Sequence, residues 1–122
     1  MRVAGIGFRR GAPLESLQEV LSKVLAKGGG VAAFATVSKK SGDPTLIALA
    51  EMHGVPIHAA EVRGVETPTK SDRILKMHGT GSVAEAAALV VAGPGSSITV
   101  RRISSADGMA TAAIAEVLGE KK

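Results

Sequence analysis

The chain has 122 residues, a formal net charge of +4 at pH 7 and an apolar share of 45%, which suit one globular domain over residues 1–122 and exclude separate catalytic and regulatory halves. Cysteine, Trp and Tyr are absent and Phe occurs twice, so disulfides, thiolate nucleophiles and cysteine metal sites are excluded, and the core must come from Ala, Val, Leu and Ile. The basic residues are scattered and lack the stacking aromatics of single-strand binders, which argues against nucleic acid and leaves a small anionic partner open.

Arg2 to Gly7 is a short apolar run ending in glycines and reads as a buried strand. The turn after it, Gly5-Ile6-Gly7-Phe8-Arg9-Arg10-Gly11, resembles a dinucleotide fingerprint only superficially, because Arg10 stands in place of the third glycine. Its glycines allow close backbone approach, while Arg9 and Arg10 offer planar bidentate donors to carboxylates; strand alternation predicts that one of the two faces the site. From Pro13 to Lys27, Leu14, Leu17, Val20, Leu21, Val24 and Leu25 recur at helical spacing, and Gly28-Gly29-Gly30 stops the helix.

Val31 to Val37 is a second apolar strand, followed by a polar loop from Ser38 to Pro44 that carries Lys40 as a cation for an anionic ligand. Asp43 caps a helix that runs to about His53 and closes at Gly54, and Val55 to Ala60 fits a third strand. Glu61 to Lys70 has neither period and reads as a loop that crosses the mouth of a site. Ser71 caps a short helix from Asp72 to His78.

The run Gly79-Thr80-Gly81-Ser82 then joins a glycine turn to an alanine-rich helix through Ala92. Ser82 is a good N-cap, Glu85 three residues on completes a capping box, and the free N–H groups of the first helical turn suit an anion above the glycines. Ser97 to Ile103 and Met109 to Val117 pair as a terminal hairpin round an Asp-Gly turn, although Met109 to Leu118 also suits a helix, and Gly119 to Lys122 is expected to fray. The alternation predicts a three-layer α/β/α sandwich with a mixed, mainly parallel sheet and a C-terminal antiparallel hairpin.

Ligands in such sheets sit beyond the carboxyl ends of the parallel strands. The candidate ligand contacts are therefore Gly7, Arg9, Arg10, Lys40, Gly79, Thr80, Gly81 and Ser82, the last four on a turn that precedes a helix and does not directly follow a strand. Glu85 and His78 are the candidates for a catalytic base; a cap or solvated position also accounts for the first, and a helix C-terminus for the second. Three scattered histidines give no zinc pattern, so neither a metal site nor a resident cofactor is expected. Met1 reads as the start of a cytoplasmic chain without a leader or membrane span.

Taken in order, Gly5-Ile6-Gly7 with Arg9-Arg10-Gly11, Ala35-Thr36 with Lys40, Leu46 and Ala50, the run Gly79 to Leu89, and Ala110-Thr111-Ala112-Ala113-Ile114-Ala115 resemble the CobE family of cobalamin biosynthesis, which is similar to the C-terminal domain of CbiG. Two departures are Phe8, where the family often has cysteine, and Asp43, where glutamate is common. The resemblance implies a three-layer fold and a precorrin or hydrogenobyrinic-acid-type tetrapyrrole as ligand. It also implies, for CbiG-like proteins, opening of a ring-A lactone. The expected function is corrinoid-intermediate binding; the alternatives are an enzyme that opens the lactone or otherwise transforms a precorrin, and a non-catalytic partner of another cobalamin-pathway enzyme.

Overall fold

The computed structural model describes residues 1–117, and the expected fraying of Gly119 to Lys122 lies outside them. Five strands form one mixed sheet: β1 (Arg2–Phe8), β2 (Ala33–Val37), β3 (Ile57–Ala60), β4 (Ser96–Ser104) and β5 (Ala110–Val117), in the order β3-β2-β1-β5-β4. β1, β2 and β3 run parallel, and β5 is antiparallel to both β1 and β4. Among the described residues there are four helices: α1 (Leu14–Gly28), α2 (Pro44–His53) and α4 (Val83–Ala92), which cover the sheet, and α3 (Asp72–His78), which does not pack on it. The expected α/β sandwich and terminal hairpin are both present, but the hairpin inserts β5 beside β1 and leaves β4 as the edge.

Alternation along β1 sorts the two layers. Ala4 and Ile6 point to α1 and α2, where they join Leu17, Val20, Leu21, Val24, Phe34, Leu46, Leu49 and Ile114. This side is filled by large side chains. The other side is filled by small ones, with Val3, Ala35, Ala60 and Ala115 under Ala86, Ala87 and Ala88 of α4.

Gly5 explains the difference. A β-carbon there would overlap the carbonyl oxygen of Ala84 and come within 2.9 Å of the Ala88 nitrogen. The helix backbone therefore rests directly on the strand, which only glycine permits. Gly7 serves the same contact one pleat on, since its β-carbon would meet the Thr111 hydroxyl at 2.9 Å and Val83 at 3.7 Å. Because Val83 opens α4 beside Gly7, the start of that helix lies at the carboxyl end of β1.

The caps follow the sequence closely. Asp43 accepts from the Thr45 N–H at 2.8 Å, Ser71 accepts from Ile74, and Ser82 accepts from Glu85 at 3.3 Å. Gly54 and Gly79 close α2 and α3 in the left-handed conformation, as expected of C-terminal glycines. The hairpin turn is tied to α1, since Asp107 accepts from the hydroxyls of Ser105 and Ser16 and from the Met109 N–H, and Ala106 N–H donates to Glu19.

Replacing Gly5 by Ala should lower stability by about 2–3 kcal/mol or more in urea denaturation, because backbone and not a pliable side chain occupies the space. Gly42→Ala, where nothing lies within 4 Å, is the control and should be near neutral. A Gly5→Ala protein as stable as the native one contradicts the contact.

The Asp107 carboxyl is drawn down to about 2 by its Ser105 and Ser16 hydrogen bonds, with the Met109 N–H adding. A folded-state value below the unfolded one means that this tie is complete above the unfolded value and is lost as pH falls through about 2. The carboxyl carbon shift of Asp107 should titrate near that value, and an ordinary aspartate midpoint contradicts the tie.

Candidate functional site

The carboxyl ends of the parallel strands form one rim, and four segments deliver cations to it. Arg9 and Arg10 follow β1, Lys39 and Lys40 close a 3-10 turn after β2, Arg63 follows β3, and Arg73 and His78 lie on α3. Arg9 and Arg10 are both exposed, because β1 ends at Phe8 and the expected alternation stops there. Beyond the strand, Arg9 donates its backbone N–H to Met109 at 2.9 Å and accepts from Ala12 at 3.0 Å, which fixes the turn.

Lys40 is half-buried with its ammonium 4.8 Å from the centroid of the Phe8 ring. Burial holds its ammonium below the ordinary lysine range; Arg10 and Lys39 add to this and Asp43 opposes them. His78 is also half-buried, and burial, followed by Lys39, Lys40, Arg63 and Arg73, depresses its basicity. Lys40 over Phe8 joins the ends of β1 and β2, and Arg63 against Gly79 lies next to His78, so the cations that bear on Lys40 (Arg10 and Lys39) and on His78 (Lys39, Lys40, Arg63 and Arg73) share one neighbourhood.

None of these cations pairs with a carboxylate among the described residues, where the ion pairs are Arg2 with Glu116, Lys23 with Glu19 and Lys70 with Glu66. Like charges held together without an ion-paired carboxylate, with Asp43 only partly offsetting them at Lys40, raise the local potential and attract an anion. Two shallow depressions lie elsewhere, one lined by Arg2, Gly30 and Glu116 and the other by Val65, Val90 and Pro94.

The Gly79 turn lies on this rim, since it feeds α4 beside Gly7, but most of it is covered. Thr80 is 1% exposed and Ser82 is fully buried. Residues 62–71 form a strap across the turn: Gly64 N–H donates to Gly79 at 2.7 Å, Ser71 N–H to Gly81 at 2.9 Å, and the Thr80 hydroxyl to Val65 at 2.6 Å. A β-carbon at Gly81 would come within 2.7 Å of the Thr69 carbonyl, so that glycine makes room for the strap. Gly79 makes room for Arg63, whose side chain lies where its β-carbon would stand.

Glu85 is neither solvated nor half of a reciprocal capping box. It is fully buried, and its carboxylate accepts from the Thr69 N–H at 2.9 Å, the Thr69 hydroxyl at 2.8 Å and the Arg102 N–H at 2.8 Å. The capping bond from its own N–H to Ser82 survives, while its side chain reaches away to the strap and to β4. Sequence reasoning missed this role, and it also missed Lys39, Arg63 and Arg73. The available signal was a lone acid in an otherwise apolar helix and a threonine-bearing loop without a period of its own.

Among the described residues no three of His, Asp and Glu gather closely enough to hold a metal ion, and no helix is long and apolar enough to cross a membrane. Residues 2–115 match the family described as Cobalamin synthesis G C-terminus. The chain belongs to that family. Its place is accordingly in cobalamin biosynthesis, as the sequence resemblance implied.

The crystal structure of CobE, described as a protein from the cobalamin (vitamin B12) biosynthetic pathway, is similar to this chain with a TM-score of 0.81 and 30% identity. The alignment covers 97% of this family member and 91% of CobE. The cobalamin biosynthesis protein chiG from Agrobacterium tumefaciens str. C58 is similar with a TM-score of 0.73 and 29% identity, over 97% of this chain and 99% of that one. No curated protein matches the sequence significantly.

The His78 imidazole should titrate below the ordinary histidine value, and replacing Lys39 and Lys40 by Ala should move its midpoint upward. Because the folded-state value is the lower one, His78 favours the fold most when neutral and loses that contribution as pH falls through its own midpoint. A ring-proton titration at or above the ordinary value contradicts the cationic neighbourhood.

Proposed function

We propose that this protein binds a multiply carboxylated tetrapyrrole of the precorrin or hydrogenobyrinic-acid type at the cationic rim. The observation that carries this reading is the gathering of Arg10, Lys39, Lys40, Arg63, Arg73 and His78 without an ion-paired carboxylate among the described residues. Family membership supports the choice of ligand, because the acetate and propionate arms of a corrin precursor need several cations spread over an area and not one deep pocket.

In this reading Arg9 and Arg10 grip carboxylates bidentately, and Lys40 supplies a compact charge beside the apolar face of Phe8. Gly7 and Gly79 shape the wall from behind. Thr80, Gly81 and Ser82 reach a ligand only where the strap lifts from them. The Phe8 side chain leaves no thiol at that position, so binding does not depend on sulfur chemistry.

A hydrolytic reading has one observation in its favour. His78 stays neutral more readily than an ordinary histidine and stands among cations that stabilise a developing oxyanion. Glu85 is not available for that task, since protein donors occupy its buried oxygens. Incubating a lactone-bearing precursor with native protein and with His78→Ala, followed by mass spectrometry, separates the readings: hydrolysis slowed by His78→Ala favours catalysis, and unchanged ligand favours binding alone.

Titration with hydrogenobyrinic acid, followed by its visible absorption, should show binding that weakens as salt rises. Arg9→Ala/Arg10→Ala should weaken it about tenfold or more, through loss of charge-assisted hydrogen bonds. Absence of any spectral change at micromolar protein, or equal affinity for both proteins, contradicts the proposal.

A further inference from the structure

Between β3 and α4 the chain leaves the sheet for an excursion held almost entirely by polar contacts. Over residues 62–78 the only buried side chains are Val62 at 5% exposure and Thr67 at 5%, with Val65 partly buried against the apolar cluster under α4. α3, within it, buries no residue and packs on no other element beyond glancing contact, leaving Leu75 and Met77 more than half exposed. Hydrophobic burial of this size does not hold seventeen or so residues in one place against their conformational entropy, which is about 1 kcal/mol or more for each. What holds them is the set of hydrogen bonds to the Gly79 turn and to Glu85.

Glu85 is the one charged side chain in that set, and it faces three donors from two directions. One oxygen accepts the Thr69 N–H; the other accepts the Thr69 hydroxyl and the backbone N–H of Arg102 on the edge strand. Only a group that accepts at both oxygens satisfies this arrangement. An amide in the same place would aim its NH2 at the Thr69 N–H or at the Arg102 N–H, leaving a buried donor unpaired in either orientation.

We infer that Glu85 is a positioning residue for the anion site: it latches residues 62–78 as a flap against α4 and β4, and thereby sets Arg63, Arg73 and His78 opposite Arg10, Lys39 and Lys40. The inference rests on the anion-site reading above for its functional half, and on the hydrogen bonds alone for the latch. The flap carries three of the seven basic residues of the rim, Arg63, Arg73 and His78. When it lifts, Thr80, Gly81 and Ser82 lose their cover and the site loses Arg63 and Arg73 from the ligand. Bound ligand, by bridging flap cations and fixed cations, favours the closed arrangement by mass action.

Hydrogen exchange measured by mass spectrometry on the ligand-free protein tests the latch. Glu85→Gln should raise exchange at least about tenfold across residues 62–78 while β1, β2 and β5 remain protected. Thr69→Val, which removes one hydroxyl donor and leaves α4 intact, should do the same to a smaller degree. Native-like exchange in the flap of both variants, or deprotection that spreads equally through the sheet in both, overturns the inference.

A binding cycle with hydrogenobyrinic acid tests the positioning half in a way that a purely structural role would not answer. Arg73→Ala should cost less affinity in the Thr69→Val background than in the native protein, because the loosened flap has already withdrawn Arg73; Arg10→Ala should cost the same in both. Equal costs for Arg73→Ala in the two backgrounds overturn the positioning role. Should the native protein fail to bind the ligand, the anion-site reading and the positioning half fail together, and the exchange result still decides the latch.

Discussion

No side chain separates α4 from β1 at Gly5, and the rest of the molecule is arranged round that contact. Because the helix backbone lies on the strand, its contacting residues must be small, and Ala84, Ala87 and Ala88 meet a sheet face of Gly5, Ala35 and Ala115. Dispersion across so close an interface compensates for the scarcity of aromatic bulk, with many atoms at contact distance and few voids. The fully buried Leu, Ile and Phe side chains lie on the opposite face, under α1 and α2, while Leu89 and Ile98 only border the thin layer. The division into a bulky layer and a thin layer is therefore written into alternate positions of a single strand.

The same contact decides where function can reside. Packing Val83 beside Gly7 brings the first turn of α4 to the carboxyl ends of the parallel strands, and the chain leading into that turn must arrive there too. It brings Arg73, His78 and the strap with Arg63. These meet Arg10, Lys39 and Lys40 from the first two strand ends; burial depresses the basicity of both half-buried members, Lys40 and His78, and the neighbouring cations add to it, against an opposing Asp43 at Lys40. Repulsion of this kind is tolerated where an anion relieves it, which links the packing of a glycine to the charge of a ligand.

Local signals carried most of the fold. Ser71, Ser82, Asp43 and Gly54 act within a few residues of themselves and their capping roles were legible as such, whereas Gly79, read as part of a ligand turn, also closes α3. The Asp107-Gly108 turn announced the hairpin, but the insertion of β5 next to β1 depends on the pairing of Gly5 with Ala113 and of Gly7 with Thr111, far apart in sequence. Alternation failed at Arg9 and Arg10 because the strand ends one residue earlier, at Phe8, and both side chains face solvent. Lys39, Arg63 and Arg73 show no period and come from three segments, so only the closed sheet assembles them. Glu85 misled for a similar reason: a helix position three residues after Ser82 suggests a cap, whereas its partners, Thr69 and Arg102, come from a loop and a distant strand.

A crystal structure of the protein with hydrogenobyrinic acid bound tests the central claim most directly, because it locates the ligand without reference to activity. Carboxylate arms of the macrocycle are expected on Arg9 or Arg10, on Lys40 and on Arg63 or Arg73, with the ring beyond the carboxyl ends of β1 and β2. A ligand bound instead at the exposed edge of β4, or in the depression beside Arg2 and Glu116 at the opposite end of the sheet, would contradict it.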